Sequence, residues 1–146
     1  MISPGKQVRV RRILLLASML DQTPQRIRII VGPVKLEAEL KSNRTADGVF
    51  AALPVEAPVN MWGEEFYFKM SGVKDHRETA TTQVKIGDVA FWGAGEVLAV
   101  FFGRTPMSMG PDPVPADRVN VIGRIVGDAT ALRQAMGSTR IRVERA

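Results

Sequence analysis

Downstream of Pro24, polar and apolar residues alternate through Arg26-Ile27-Arg28-Ile29 and again through Lys35-Leu36-Glu37-Ala38-Glu39-Leu40-Lys41. A period of two is that of a strand with one face buried. Between the runs lies Val31-Gly32-Pro33-Val34, a two-residue loop with glycine first, which predicts a hairpin with a type II′ turn. The period then changes. Ala46, Val49, Phe50 and Leu53 are spaced to share one face of a helix, Asn43 or Thr45 is placed to cap its start, and Pro54 stops it. Glu64 to Met70 is rich in β-formers. Val84 to Asp88 reads as a strand ending in a turn, and Val89 to Trp92 as another short strand. After the turn Gly93-Ala94-Gly95, Val97 to Phe102 is almost wholly apolar, as in a strand buried on both faces. Val119 to Val126 is a further strand. Asp128 is placed to cap a short helix with Ala129, Leu132 and Met136 on one face and Gly137 at its end, and Thr139 to Glu144 alternates as a last strand.

Two stretches carry no period. Ser71 to Thr82 is polar and reads as a loop. Residues 103–117 hold Pro106, Pro111, Pro113 and Pro115, and a loop of this length inside a compact domain points to function. The pattern amounts to a mainly β fold of about eight strands and two short helices. A sheet of that size escapes exposed edges by closing into a barrel. The first and last strands both read Arg-Ile-Arg. If they pair, Glu37, Glu39 and Glu144 are available to separate the like charges.

Charge sharpens the boundaries. The net +5 is concentrated at the two ends: residues 1–28 carry six basic side chains against one acid, residues 133–146 carry four against one, and the body between is net acidic. A nucleic-acid binder would carry a basic stripe across its body, so nucleic acid is not expected as a partner. Arg11-Arg12 followed by Ile13 to Leu20 resembles the start of an export signal, but the apolar run is short and no clear small-residue cleavage site follows. Residues 1–24 are therefore read as a basic extension or an early start codon, and 25–146 as the domain. With no cysteine the chain suits a reducing cytoplasm, and no apolar run reaches the ~20 residues that span a bilayer, so no membrane partner is expected.

The order hairpin, helix, strands, helix, final strand resembles that of cyclophilins. The second half is sharper: Phe101-Phe102, then Thr105, a loop, Val119 to Val126 with Gly123, then Gly127 and the helix Ala129 to Met136 resemble the cyclophilin run of paired phenylalanines, loop, Val-Val-Phe-Gly-Lys-Val, glycine and final helix. A closer resemblance is to a small family of uncharacterised prokaryotic proteins with a cyclophilin-like fold. It is carried by Val59-Asn60-Met61-Trp62-Gly63-Glu64-Glu65-Phe66-Tyr67-Phe68, Ile86-Gly87-Asp88-Val89, Phe101-Phe102-Gly103-Arg104-Thr105-Pro106-Met107-Ser108 and Val119-Asn120-Val121-Ile122-Gly123. The resemblance covers roughly residues 26–145 and implies a closed or partly open cyclophilin-like β-barrel.

It does not carry the prolyl-isomerase chemistry with it. Rotation about a peptide bond faces a barrier of ~18–20 kcal/mol, and a catalyst must favour the twisted amide over both planar forms. Cyclophilins aim an arginine at the proline carbonyl, but their Phe-His-Arg segment has no counterpart here. The region after the first helix reads Asn60-Met61-Trp62-Gly63-Glu64-Glu65, Val100 stands where they have glutamine, and Val119 where they have histidine. The resemblance implies that Phe102 persists as part of a pocket wall, with Arg104 as the nearest replacement cation.

The remaining chemistry is sparse. His76 is the only histidine, too few for a zinc site and without a serine partner for a triad; Gly93-Ala94-Gly95 is too short for a dinucleotide site. No metal or cofactor is expected. Glu64 and Glu65 are adjacent, so on a strand they face opposite ways, and the buried one, beside Tyr67 or Arg104, is suited to a polar ligand. Trp62 and Trp92 each precede a glycine near a turn, and tryptophan often lines clefts. The candidate ligand-binding set is Asn60, Trp62, Glu65, Tyr67, Trp92, Phe102, Arg104 and Thr105. The expected function is binding of a small molecule or a proline-containing peptide in a groove on the barrel. The alternatives are a weak or divergent peptidyl-prolyl isomerase and a homo-oligomer whose aromatics meet a second copy.

Overall fold

A computed structural model describes residues 23–146, so the extension expected over 1–24 lies almost wholly outside the described residues. In chain order the elements are β1 (Arg26–Val31), β2 (Val34–Leu40), α1 (Arg44–Ala52), β3 (Val55–Pro58), β4 (Asn60–Met61), β5 (Glu65–Lys69), β6 (Ala80–Thr81), β7 (Asp88–Trp92), β8 (Val97–Phe101), β9 (Val119–Val126), a 3₁₀ helix (Ala129–Ala135) and β10 (Arg140–Arg145).

The hairpin forms where the glycine demanded it. Val31 pairs with Val34, Gly32 takes φ +52°, and a Cβ there would run into Ser138. Asn43, not Thr45, caps α1: its Oδ1 accepts from the Ala46 amide at 2.8 Å. Asp128 caps the second helix through the Thr130 amide at 2.9 Å. That helix winds as a 3₁₀ helix, whose three-residue period buries Ala129, Leu132 and Ala135 and leaves Met136, expected on the buried face, 45% exposed. Val84 to Gly87 is not a strand. The Asp88 carboxylate accepts from the Lys85 amide at 2.8 Å, curling this stretch into a turn, and pairing begins only at Asp88.

All ten strands belong to one antiparallel sheet, in the order β3-β10-β1-β2-β9-β7-β8-β5-β4, with β6 paired to β9. Eight strands were expected; the additional ones are short. The expected barrel closure is not found: β3 and β4 end the path and do not pair with each other. Only Val59 separates them in the chain. Pro58 offers no N–H and β4 has two residues, which leaves little to build a closing ladder from.

The first and last strands do pair, and the acids interleave as the charge pattern required. Arg28 stands opposite Glu37 on one side and Glu144 on the other, and Arg26 reaches Glu37 at 3.0 Å and Glu39 at 2.9 Å. Arg142 continues the ladder to Glu56 and Glu144, both at 3.8 Å. The basic strands are thus matched pairwise on the outer face, although exposed pairs contribute only about 0–1 kcal/mol each.

The sheet has two apolar faces. Its inner face, with α1 and the 3₁₀ helix against it, buries Ile27, Ile29, Phe66, Phe68, Phe91, Leu98, Val100 and Phe102. A second, smaller cluster on the outer face of β7, β8 and β9 buries Ala90, Ala99, Phe101, Val119 and Val121, with Tyr67 and Trp92 packed against it. This double burial explains why β8 carries no polar residue.

Candidate functional site

The site is built by register. On β5, Glu65 and Tyr67 face outward while Phe66 and Phe68 enter the core. Tyr67 stands opposite Ala99, Ala99 opposite Ala90, and Ala90 opposite Val121. Two alanines between an aromatic and a branched residue leave a depression in the middle of the outer face. In the neighbouring row Trp92 lies opposite Val97 and walls one side; Trp62, on the turn before β5, contributes to the opposite wall. Pro115, Ala116 and Asp117, from the proline-rich loop, close the rim. The result is a pocket of about 230 Å³ with Glu65 among its lining residues.

Glu65 is the chemically unusual member. The residue is 9% exposed, and among the described residues its carboxyl has no hydrogen-bond or salt-bridge partner, its oxygens reaching solvent through the pocket. Burial pushes that carboxyl up to about 7. Its neighbour Glu64 points the other way and forms an ion pair with Arg133. The two adjacent carboxylates thus have separate surroundings, Glu64 lying in the bend just before β5 and Glu65 on the strand itself.

Trp62 is held by its turn. Its amide donates to the Glu65 carbonyl at 3.0 Å, the Glu64 amide donates to the Arg104 carbonyl at 2.8 Å, and the Phe102 amide donates to the Glu64 carbonyl at 2.9 Å. Gly63 has φ +60°, and a Cβ there would meet the backbone of Arg104 and Thr105. Trp92 is fixed from the other side, its indole Nε1 donating to Asp117 at 3.2 Å.

Of the eight candidate residues, the structure brings four together: Trp62, Glu65, Tyr67 and Trp92. Phe102 is fully buried on the inner face, its ring 4.7 Å from that of Phe66, because the alternation that turns Phe101 outward turns Phe102 inward. Arg104 is exposed and its guanidinium donates to the Ser108 carbonyl at 3.3 Å. Asn60 is exposed on β4, with its amide 3.5 Å from the Tyr67 carbonyl. Thr105 is buried and organises the long loop. Its hydroxyl donates to the Val114 carbonyl at 2.5 Å, and its amide donates to Ser108 Oγ at 2.9 Å. It acts on the pocket's rim through Pro115 to Asp117 rather than lining the pocket itself.

The lining residues that the sequence reading missed are Val97, Ala99, Val119 and Pro115 to Asp117. Ala99 was detectable in principle, as the one small outward residue in an apolar strand. Asp117 had no signal, because its place depends on how the loop folds.

Two other acidic places are accounted for structurally. An open, more polar groove of about 470 Å³ is lined by Glu39, Lys41, Thr81, Asp88 and Arg124, among others. Its carboxylates are engaged, Glu39 with Arg26 and Asp88 with the Lys85 amide. Near His76, the two N–H groups of buried Asn120 are shared among Thr45, Asp75 and Glu78 at 3.0–3.1 Å, and its Oδ1 accepts from the Thr79 amide at 2.9 Å. Burial works against the Glu78 charge, but hydrogen bonds from Thr45, Asn120 and the backbone outweigh it and hold the carboxyl at about 2. This network pins the 75–79 loop to α1 and β9. No group of three metal-ligating side chains occurs among the described residues, and none of their helices is long and apolar enough to cross a membrane.

Comparison with known proteins adds a family and a fold. The family described as cyclophilin-like matches residues 25–144. The solution structure of a hypothetical protein from Archaeoglobus fulgidus is 35% identical, with a TM-score of 0.72 over 85% of this chain and 96% of that one. No curated protein matches.

Proposed function

The chain belongs to the cyclophilin-like family, and from that premise we propose that it is a small-ligand-binding domain whose site is the pocket of Trp62, Glu65, Tyr67 and Trp92. One observation carries this reading: the carboxyl of a largely buried glutamate, with no protein partner, opens to solvent through an aromatic-lined pocket. No side-chain polar atom among the described residues is both buried and unpaired, so the Glu65 oxygens reach solvent through the pocket, where a ligand can meet them. At about 230 Å³ the pocket lies below the roughly 300–1,000 Å³ usual for drug-sized ligands, which suits a fragment, a metabolite headgroup or a single side chain.

A proline-containing peptide is the second reading. An aromatic pocket of this size also suits a pyrrolidine ring. Binding is better supported than turnover, because no lysine or arginine lines the pocket and Arg104 is occupied with its own loop. A thermal-shift screen of small metabolites and proline peptides tests the proposal. Stabilising compounds should lose their effect in Trp62→Ala and keep it in Arg104→Ala. Hits unaffected by Trp62→Ala would place binding elsewhere and defeat the reading.

A further inference from the structure

We propose that the pocket's occupant is a small organic cation, a primary or methylated ammonium group, held between the faces of Trp62, Tyr67 and Trp92 and the carboxylates of Glu65 and Asp117. The inference rests on reading this pocket as the ligand site and specifies its chemistry.

Three observations converge on a cation. The first is the lining: two indoles and a phenol line one small concavity, and aromatic rings attract ammonium groups more strongly as water is excluded. The second is charge. Two carboxyl groups line the pocket and no basic side chain does, and burial alone acts on Glu65, with no nearby cation offsetting it. The protein supplies an anion without its counter-ion. The third is rigidity. Trp62 is set by the locked turn against Arg104, and Trp92 by its bond to Asp117, so the walls are formed before a ligand arrives.

The main rival is a neutral ligand whose carbonyl accepts a hydrogen bond from protonated Glu65. The two differ in sign with pH. The titratable groups facing Glu65 are Tyr67 on its own strand and Asp117 on the loop. The pocket-lining residues of β7, β8 and β9 (Trp92, Val97, Ala99 and Val119) contribute none, and Glu64 is turned away onto Arg133. Glu65, pushed up to about 7 by burial, changes its charge near neutrality.

The experiment is a tryptophan-fluorescence titration of the full chain with tetramethylammonium and with tert-butanol, a neutral molecule of similar size, at about pH 6 and about pH 8. With Glu65 titrating at about 7, a cation should bind about tenfold more tightly at the higher pH and well ahead of tert-butanol. Glu65→Gln should flatten that pH dependence; the wild-type profile stands as a test even if the variant folds poorly. If tert-butanol and the neutral amide N-methylacetamide bind as well as tetramethylammonium, or more tightly at the lower pH, the cation proposal is wrong while the pocket survives as a ligand site. If none of the three perturbs either tryptophan at millimolar concentrations, both the proposal and the underlying reading fall.

Discussion

Trp92 and Asp117 are joined by a hydrogen bond of 3.2 Å that ties the end of β7 to the proline-rich loop. The bond makes the loop a wall of the pocket rather than a free excursion. Asp117→Ala removes the acceptor for an exposed donor. It should lower stability by only about 0.5–1.5 kcal/mol. Ligand affinity should fall further than that, because the rim loses both its anchor and a charge. Amide hydrogen exchange across 113–118 should quicken; unchanged exchange with unchanged affinity would contradict this role.

Glu65 should make the protein more stable in mild acid than in mild base. Its folded value of about 7 lies above the ordinary 4.5, so between those values the folded chain binds the proton more tightly than the unfolded one. The contribution of Glu65 is then fully present below about pH 4.5, falls as pH rises toward 7, and is lost above it. Its span is at most about 3.5 kcal/mol, since each tenfold difference in proton affinity is worth about 1.36 kcal/mol. Glu78 acts in the opposite sense and a different window: its lowered value contributes stability above about 4.5 that is lost as pH falls toward 2. Urea denaturation from about pH 4.5 to pH 8 should show the decline in wild type and a flatter profile in Glu65→Gln. Identical slopes in the two proteins would exclude a strongly raised carboxyl.

Thr105→Val should separate loop order from pocket chemistry. The substitution keeps the volume and removes the hydroxyl that Val114 uses as both acceptor and donor, leaving those half-buried groups without their partner. A loss of about 1–3 kcal/mol is expected. Binding should weaken through the displaced rim, with the pH dependence of affinity retained, because Glu65 is untouched. Arg104→Ala, in contrast, should change stability by no more than about 0.5 kcal/mol.

Asn120 is 1% exposed and holds three elements together. Asn120→Leu should destabilise by about 1–3 kcal/mol and free the 75–79 loop, because Thr79 loses its acceptor and Thr45, Asp75 and Glu78 lose a donor. Ligand affinity in the aromatic pocket should remain as in wild type, since none of these residues lines it. Chemical denaturation and a ligand titration on the same variant check both halves.

Much of the strand order was legible because local periods survive folding. Arg26 to Leu40 reads as a hairpin from its alternation and its Gly-Pro turn, and β9 and β10 fall close to where their patterns put them. Val84 to Gly87 misled because an apolar-polar alternation is also compatible with a turn once Asp88 supplies a side-chain acceptor. Met136 misled because a helical period of 3.6 does not hold where a tighter winding prevails. Barrel closure failed on the shortness of β4, a property of pairing rather than of pattern. At the site, Glu65, Tyr67, Trp62 and Trp92 were legible from strand alternation and from tryptophan's habit of lining clefts. Phe102 was not, because a family likeness pointed it at the groove while alternation turns it into the core. Asp117 was beyond reach, since a loop with four prolines has no period to read.

The most direct measurement is chemical-shift mapping on the uniformly labelled domain during titration with any compound that stabilises it. The account predicts that the shifts cluster on Trp62, Glu65, Tyr67, Trp92, Ala99 and Asp117, with both indole N–H signals moving. Shifts centred instead on Lys41, Thr81, Asp88 and Arg124, in the open polar groove, would contradict it.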